Sequence, residues 1–582
     1  MIRKLVRQML TAQVFSALTV SLCLLIDSIM IGRFLGEQAI AAYGLANPLL
    51  LAIGAIGSLL AAGIQVTCSR SLGRGSQEET NAGYSSAIMV AGIISGVFMV
   101  AAILFRSFFA KAMGAGSSGE LFNQTRDYIA GFSIGAPGSM GALVLVPFLQ
   151  MAGQSNLLIA AVLTMTITDI GLDLLNVLVF NGGMFGMGLA SAISYYAAMA
   201  VSAFYFLSKK CVFRFTRKGV TVKKMLELFK SGVPAGFSMA AAMVLVFVMN
   251  QILMSTGGED ALSAFTVMMS LGNAAQCINT GTGGVSLTLS GMFVQEEDRN
   301  SLKELLWLLF RYAVILGLGM GLVLLVFAEP LVGLFITEPG KARDMAALAL
   351  RLYATGLIPC CACSALKNCY QAEGKIALTE ILHLTEGALL PAVAGFILSR
   401  IWGTTGAWLY FVAGELLAVL AICLLIRHKT GRKPWDGDAF LMLDEDFGVG
   451  PDEMMEAEIR SIQDVTAVAE QAQQFCMRHS HNNRMGNHIA LCIEEMASNT
   501  VQHGFSKDAE NHLSVRILHK PDAWVLRFRD DCRAFDPVHY IPANGKKAVG
   551  IHLVLALASD ARYTYSMNMN NLSLRLPETD KK

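Results

Sequence analysis

The sequence predicts an all-α polytopic membrane protein with twelve transmembrane helices in two six-helix lobes, followed by a C-terminal α+β domain. Three observations predict this fold class. The 582-residue chain is 54% hydrophobic and 15% charged, whereas a soluble globular chain carries about 25% charged residues. Twelve apolar segments each reach the ~20 residues that a membrane-spanning helix needs. After residue 433 the composition changes to that of an ordinary soluble domain.

The twelve predicted helices lie in the first three quarters of the chain. They are expected near residues 10–32, 45–69, 82–106, 126–150, 157–180, 184–208, 229–256, 261–290, 304–328, 345–370, 376–400 and 404–427. The first segment begins with charged residues and an apolar run, as a signal peptide does. It contains Asp27 and is followed by further apolar segments, so we interpret it as the first membrane helix.

Basic residues predict the orientation of the helices. Clusters of Lys and Arg precede the first helix, follow the sixth and follow the twelfth. With an even number of helices these clusters share one side of the membrane, and the positive-inside rule makes that side cytoplasmic. We therefore expect a multi-pass plasma-membrane protein with both termini in the cytoplasm. The net charge of +1 gives no reason to expect a nucleic-acid partner.

An internal repeat relates the two predicted lobes. The segment 36–43 recurs in altered form at 258–265, and the segment 128–131 recurs at 353–356. A duplicated six-helix unit arranged around a central cavity is a common plan of transporters. The predicted boundaries are 1–210 for the first lobe, 211–430 for the second, 431–458 for a linker and 459–577 for the last domain.

Acidic residues inside the apolar segments are the first candidates for function, because an ionisable group at the bilayer centre costs about 3 kcal/mol or more. Asp27 lies in the first helix, and Asp169 and Asp173 share one face of the fifth. Two carboxylates this close in a low dielectric do not both ionise cheaply, so one is expected to hold a proton. We place a cation or proton site here. The alternative for Asp169 or Asp173 is a hydrogen bond to a neighbouring helix.

Other polar groups in the membrane half give weaker indications. Glu386 and Glu415 are expected to be polar residues that line the cavity, and Glu386 follows His383 by three positions. The twelve cysteines show neither paired CxxC motifs nor zinc-ligand spacing. We interpret them as reduced, small apolar side chains.

Several motifs of the membrane half resemble those of the multidrug and toxic compound extrusion (MATE) family. The similar segments are 27–36 with 39–42 and 47–48 for the first helix, 71–75 after the second, 150–153, and 231–234 at the seventh. The resemblance covers about residues 1–430. It implies antiport of drugs or metabolites, often organic cations or amphipathic compounds, against protons or sodium.

The resemblance also implies site residues. The family's first-helix acid falls on Asp27, and its fifth-helix Asn-x-x-x-Asp pattern falls on Asp169 and Asp173, with Asp in place of Asn. The second-lobe acid that some members carry would fall near Ala242 and is absent. Coupling is therefore expected in the first lobe, by protons or by sodium.

The last domain contains a row of polar residues typical of a nucleotide site. Glu495, Asn499 and His503 are spaced by four and share one face of a predicted helix. Such a row offers a carboxylate that orients water or a hydroxyl and an amide that holds Mg²⁺ beside phosphates. Asp530 follows a predicted strand, and Gly550 lies where a helix opens with amides able to face phosphate.

This order resembles the GHKL ATPase fold, an α+β sandwich, and in particular the anti-sigma-factor serine kinases, over residues 455–577. The resemblance implies ATP and Mg²⁺, with Glu495 as the catalytic residue and Asn499 as the Mg²⁺ ligand. Asn499, His503, Asp530 and Gly550 would then bind nucleotide. Cys532 and Ala548 stand where the family has glycines. ATP binding, serine kinase activity and a plain interaction module therefore remain alternatives.

Local patterns predict the secondary structure of the C-terminal region. Residues 513–519 and 524–529 alternate as a hairpin does, and so do 562–567 and 572–576, with a turn at 568–571. A helix is predicted over 459–478. A short strand is predicted over 439–443.

Three functions agree with the sequence. The first is a secondary antiporter of small molecules with a cytoplasmic domain that senses ATP or a regulatory protein. The second is a membrane-anchored serine/threonine kinase-like signalling protein whose membrane half is a sensor. The third is a lipid-linked oligosaccharide flippase, although the proteins of that type often have more helices.

Overall fold

A computed structural model describes residues 2–35, 37–113, 115, 118–208, 211–217, 219–336, 339–444, 447–480, 482–506, 511–540 and 549–578. The described helices of the first lobe make six spans. They are α1 (Ile2–Leu35), α2 (Glu37–Gly73), α3 (Gln77–Leu104), α4 (Arg106–Ala112), α5 (Glu120–Ile134), α6 (Ala136–Met151), α7 (Ser155–Leu175) and α8 (Gly183–Leu207). A π-helical turn at Asn176–Phe180 continues α7.

The second lobe repeats this plan. Its described helices are α9 (Val222–Ala275), α10 (Cys277–Gln295), α11 (Arg299–Val326), α12 (Ala328–Gly333), α13 (Lys341–Ala354), α14 (Leu357–Glu373), α15 (Ile376–Leu384), α16 (Leu390–Trp408) and α17 (Tyr410–Thr430). Gly258 interrupts α9 with a φ of 65° and so separates the seventh span from the eighth. Glycine adopts this left-handed conformation without the steric cost of a Cβ. A π-helical turn at Thr385–Leu389 joins α15 to α16.

The predicted number of membrane helices is confirmed. Within the described residues, ten helical segments are long and apolar enough to cross a membrane. Two bent helix pairs complete the twelve: α5 with α6, bent by 46°, and α13 with α14, bent by 47°. Each pair forms the fourth span of its lobe, as the internal repeat leads one to expect.

The two lobes meet closely where α2 packs along α9. A Cβ on Gly63 would lie 2.0 Å from the carbonyl oxygen of Leu228, and a Cβ on Gly232 would lie 1.9 Å from that of Leu59. Small residues let membrane helices approach to such distances. Any larger side chain at either glycine would therefore force the lobes apart.

Two arginines join the lobes near the end of α2. Arg70 Nε donates to the carbonyl oxygen of Ala372 at 2.9 Å, and Arg74 Nε donates to Gln295 Oε1 at 2.7 Å. The C-terminal domain contacts the same end, because Arg562 Nη1 donates to the carbonyl oxygen of Arg74 at 2.9 Å. We call this the domain side of the membrane half. The lobes are thus in contact on the domain side.

The C-terminal domain is an α+β sandwich. Its antiparallel sheet has the order β1-β2-β3-β5-β4, with β1 (Met454–Ile459), β2 (Leu513–Lys520), β3 (Ala523–Asp530), β4 (Asp560–Ser566) and β5 (Met569–Pro577). The helices α18 (Ile462–Ser480), α19 (Asn483–Asn499) and α20 (Val549–Leu557) cover one face of the sheet with an apolar core. The other face lies against the membrane half.

Most predicted elements of this domain are confirmed, and three details differ. Both hairpins form, but the second turns at Met567 and Asn568, which have φ values of 56° and 60°. The residues 454–458, placed in the linker by the sequence, pair with β2 as part of β1. The strand predicted at 439–443 is wrong: Ala439–Leu441 is a 3₁₀ helix. Its apolar residues are buried against membrane helices, so their pattern reflects packing and not strand pairing.

Candidate functional sites

The three aspartates predicted from the sequence come together inside the first lobe. Asp27, Asp169 and Asp173 are 7%, 4% and 1% exposed. The side chain of Asp169 interacts with that of Asp27 across the contact between α1 and α7, and with Ser191 and Ser194 of α8. Three carboxylates therefore share one buried site.

Several oxygens of this site are unsatisfied. Asp27 Oδ1, Asp169 Oδ1 and both carboxylate oxygens of Asp173 have no hydrogen-bond partner among the described residues. Buried polar atoms are nearly always hydrogen-bonded, and leaving one unpaired costs about 1–3 kcal/mol. A cluster of unpaired acceptors is chemically suited to a proton or a small cation.

Aromatic side chains border the aspartates. The rings of Tyr43 and Tyr128 lie 5.4 Å apart, those of Tyr128 and Phe132 lie 6.2 Å apart, and those of Phe132 and Tyr195 lie 6.1 Å apart. These rings add apolar surface around carboxylates that are themselves buried. The carboxylates are therefore held in a low-dielectric environment.

A cavity of about 310 Å³ lies between the two lobes. Its polar and ionisable lining residues are Ser58, Gln65, Ser238, Asn279, Thr280, Ser364, Lys367, Asn368, Gln371 and His383. Ligand sites are usually concave and mix apolar surface with a few polar groups. The cavity has this character, and the three aspartates lie outside its lining.

A second group of buried ionisable residues lies in the second lobe. Lys367 Nζ is 2.6 Å from Glu386 Oε2, and both side chains are more than nine-tenths buried. Single ligand atoms of Cys360, Glu386 and Glu415 lie within 4.8 Å of one another. The expectation that both glutamates line the cavity is wrong. Lys367 lines it, and the glutamates are not among its lining residues.

The C-terminal domain contains a cavity of about 520 Å³ between α19 and the sheet. Asn499, His503 and Asp530, three of the predicted nucleotide-binding residues, line it. Aromatic side chains, among them Phe535 and Tyr540, complete the wall. A cavity of this volume with an amide, a carboxylate and aromatic rings has the chemistry to hold a purine nucleotide.

Asp530 is held in place by its neighbours. Its Oδ1 accepts hydrogen bonds from Asn570 Nδ2 at 2.7 Å and from the backbone N–H of Cys532 at 3.0 Å. Burial raises the pKa of Asp530, and these donors act in the opposite direction. The Cys532 side chain also faces Gly504, because a Cβ on that glycine would lie 3.1 Å from the sulfur. Cys532 thus fills space beside Asp530, one of the predicted nucleotide-binding residues.

Gly550, the fourth predicted nucleotide-binding residue, contacts Glu495, the predicted catalytic residue. A Cβ on Gly550 would lie 1.8 Å from Glu495 Oε2, so the glutamate packs against the start of α20. Neither residue is among those that line the cavity. Ala548 of the third predicted motif lies outside the described residues.

Comparison with known proteins decides the identity of the membrane half. The family model MatE matches residues 13–179 and 234–397, one segment in each lobe. The chain belongs to the MatE family. Residues 457–576 match the family model of the histidine kinase-like ATPase domain. This MatE protein therefore carries an ATPase-type domain behind its last membrane helix.

Curated relatives agree with this membership. The chain is 24% identical over 404 residues to the multidrug export protein MepA of Staphylococcus saprophyticus, which covers 68% of this chain and 88% of the relative. It is 26% identical over 411 residues to MepA of Staphylococcus aureus, covering 69% and 88%. Both matches leave about three tenths of this chain uncovered.

Solved structures support the fold. A MATE structure in the straight conformation and an outward-facing multidrug resistance MATE family transporter each give a TM-score of 0.67 at 18% identity. Each covers 72% of this chain and 94% of the solved one. At this identity the likeness concerns the fold of the MatE half.

Two groups of residues in this MatE protein were missed by sequence reasoning. Lys367 lies within a predicted span, and a charge in an apolar segment was a usable signal. Arg516, Arg527 and Arg529 alternate with apolar residues along β2 and β3, as on any sheet with one solvated face. For them the sequence offered no signal, because it does not indicate which surface covers that face.

Proposed function

We propose that this protein is a secondary antiporter that moves small amphipathic molecules out of the cytoplasm in exchange for protons or sodium ions. The observation that carries the proposal is the set of unpaired carboxylate oxygens on Asp27, Asp169 and Asp173. A buried acidic cluster takes up a cation or proton at a favourable free energy, because the ion satisfies acceptors that otherwise lack partners. The export activity named for the MepA relatives supports the same direction of transport.

Exchange of substrate for ions would require two arrangements of the lobes, one closed and one open on the domain side. In the present arrangement the lobes touch on the domain side, through α2 with α9 and through Arg70 and Arg74. Ion binding at the aspartates changes the charge buried between α1, α7 and α8. We infer that this change shifts the balance between the present arrangement and one open on the domain side.

The coupling ion is tested in proteoliposomes that contain the full chain. We expect uptake of a fluorescent amphipathic dye under either an imposed proton gradient or an imposed sodium gradient, with the other gradient absent. Vesicles without protein and vesicles with both gradients collapsed are the controls. Equal dye movement with and without every gradient would contradict antiport.

We further propose that the C-terminal domain regulates transport from the cytoplasmic side. Its contact with the second lobe is a set of ion pairs between an acidic loop, Glu296–Asp298, and an arginine face, Arg516, Arg527 and Arg529. Arg516 pairs with Asp298, Arg529 pairs with Glu296, and Arg527 donates to the carbonyl oxygen of Glu296. Lys520 Nζ adds a contact to Glu297 Oε2 at 2.5 Å.

The same domain contacts the first lobe. The backbone N–H of Met567 donates to the carbonyl oxygen of Met151 at 2.7 Å, and Asn568 Nδ2 donates to that of Gly153 at 3.1 Å. One rigid sheet therefore touches the loop after α6 in one lobe and the loop after α10 in the other. Because both contacts are on the domain side, a docked domain opposes separation of the lobes there.

The proposed nucleotide site shares strands with the docking surface. Arg527 and Arg529 of β3 point toward the membrane half, and Asp530 at the end of β3 lines the cavity. On β5, Asn570 donates to Asp530, while Asn571 Oδ1 accepts from Arg529 Nε at 2.9 Å. We infer that a change at the cavity reaches the docking surface through these two strands.

The residues present fit a bound adenine nucleotide in part. Asn499 would hold Mg²⁺, and Asp530 would accept from the adenine amino group. A bound triphosphate would supply negative charge. Glu495 lies against Gly550 and not on the cavity wall, which favours nucleotide sensing over phosphate transfer. Cys532 reduces the space beside Asp530.

Nucleotide binding is tested by calorimetry on the full chain in detergent. We expect Mg-ATP to bind, Asn499→Ala to weaken binding by about 10-fold because a Mg²⁺ ligand is lost, and Cys532→Gly to strengthen it by widening the cavity. Asn487→Ala, on the exposed face of the same helix, is the matched control. Folded protein that releases no heat with Mg-ATP, in the wild type and in Cys532→Gly alike, would refute the nucleotide site.

A further inference from the structure

The cavity between the lobes carries charge of one sign. Among the described residues that line it, Lys367 is the only Lys, Arg, Asp or Glu. The remaining polar lining residues are hydroxyls, amides and His383. A ligand in this cavity therefore meets the Lys367 side chain and groups that donate or accept hydrogen bonds, and no carboxylate among the described lining residues.

The ammonium group has an acidic partner outside the cavity wall. Lys367 Nζ lies 2.6 Å from Glu386 Oε2, and the two side chains are 8% and 7% exposed. Glu415 Oε2 has no hydrogen-bond partner among the described residues, and it belongs to the same group of buried acids. Lys367 is thus held between an acidic cluster on one side and the open cavity on the other.

The lysine side chain is suited to exchanging partners. Its ammonium is a compact charge on a flexible four-carbon stem with three donors, so it can contact Glu386 and a ligand in turn or together. A buried charge pair is strong because the local dielectric is low. Glu386 lies in the π-helical turn at Thr385–Leu389, and such turns occur frequently at functional sites.

A metal ion is a poorer match for this cluster. Cys360, Glu386 and Glu415 offer three ligand atoms within 4.8 Å of one another. The ammonium of Lys367 already occupies Glu386, so a metal ion would have to displace it. An anionic group that enters from the cavity can instead pair with the ammonium of Lys367.

We propose that Lys367 binds the carboxylate group of the transported molecule, and that Glu386 is its competing partner when the cavity is empty. This inference rests on the proposed transport function and specifies its substrate class: amphipathic carboxylates, including zwitterions. It differs from the organic cations that family resemblance implies. A monocation without a carboxylate cannot replace Glu386 as the partner of Lys367, so it gains no ion pair in the cavity.

The test uses three probes with one aromatic ring and different charges. These are naphthalene-1-acetate, its methyl ester and 1-naphthylmethylammonium. Binding to the purified full chain is measured by equilibrium dialysis in detergent, so no ion gradient is needed. We expect the wild type to bind the acetate at least ~10-fold more tightly than the ester or the ammonium probe, as a desolvated charge pair permits.

Substitutions of Lys367 and of Glu386 are expected to change the affinity for the acetate in opposite directions. Lys367→Met is expected to remove the preference for the acetate, whereas Lys367→Arg retains it. Glu386→Gln is expected to increase the affinity for the acetate, because the competing carboxylate is gone. If Lys367→Met does not fold, the double variant K367M/E386Q removes both charges together and is expected to bind the acetate and the ester equally.

Each outcome decides the proposal. Equal wild-type binding of the acetate and the ester, no binding of the acetate, or a preference that survives in K367M/E386Q overturns it. Failure of the antiport proposal is recognised separately, since a carboxylate preference without gradient-driven transport leaves this site intact. Gradient-driven transport without a carboxylate preference would contradict carboxylate binding by Lys367 and leave the antiport proposal intact.

Discussion

Replacing Asp27 by asparagine is expected to abolish gradient-driven transport and, at the same time, to stabilise the protein. The amide cannot take up the coupling ion, so dye movement in proteoliposomes falls to the level of empty vesicles. The amide also brings N–H donors next to Asp169, whose Oδ1 lacks a partner among the described residues. A new hydrogen bond at a buried acceptor stabilises by about 1 kcal/mol.

Two measurements check this prediction on one preparation. Transport is assayed under the gradient that drives the wild type, and thermal unfolding is followed in detergent. Asp127→Asn is the matched control, because Asp127 lies in α5 with a half-exposed carboxylate that pairs with Arg126. Undiminished transport by Asp27→Asn removes the coupling role. Lost transport with lowered stability points instead to a structural role for Asp27.

Separating the C-terminal domain from the membrane half is the second large effect that we expect. Replacing Arg516 by alanine leaves Asp298 buried at 2% exposure without its closest cation. Breaking a buried pair by removing one partner typically costs about 3–5 kcal/mol. We therefore expect Arg516→Ala to undock the domain and transport to become faster and independent of ATP.

Amide hydrogen exchange reports the undocking directly. Faster exchange is expected in the acidic loop and in the loop after α6, whereas α7 should be unchanged. Arg460→Ala is the control, because that arginine pairs with Glu458 at the exposed surface of the same domain, where such pairs are worth little. Unchanged exchange in Arg516→Ala would contradict a role of this ion pair in docking the domain.

The neutral double variant R516M/D298N distinguishes two effects of Arg516→Ala: the loss of the attraction between Arg516 and Asp298, and the cost of leaving Asp298 buried without a partner. If the single variant acts by leaving an uncompensated charge, the double variant should dock better than Arg516→Ala. Equal undocking by both would show that the attraction itself holds the domain.

Acidity should affect docking only at low pH. Burial opposes ionisation of Asp298, but the charges of Arg516 and Arg529 outweigh it and hold the pKa of Asp298 below its usual value. A carboxyl with a depressed pKa contributes its stabilisation above its free pKa of about 3.9 and loses it as the pH falls through the lower, docked value. Docking measured by hydrogen exchange should therefore be constant near neutral pH and weaken below about pH 4.

The sequence predicted those features that depend on one segment at a time. Apolar length alone indicates each membrane helix, and the spacing of Asp169 and Asp173 predicts a shared face. Their approach to Asp27 was inferred from the rarity of acids in apolar segments. The alternating residues of β2 and β3 likewise predicted a hairpin with one apolar face.

Features that depend on packing between distant segments were not accessible in this way. Phe440 belongs to a short apolar run that resembles a strand, yet it packs against Trp307 of α11 and accepts a hydrogen bond from Tyr370. Glu386 was expected on the cavity wall, but the π-helical turn and Lys367 place it behind that wall. In each case a side chain of a different helix decides the outcome.

The ion pairs between the acidic loop and the arginine face limit which substitutions the two halves of this protein tolerate. A substitution at Arg516 or Asp298 alone leaves a buried charge without its partner. A change on one side of this contact therefore calls for a matching change on the other. A chimera that joins this membrane half to an ATPase domain without matching arginines would leave Glu296 and Asp298 without their partners. The C-terminal domain is therefore matched in charge to the membrane half that it contacts.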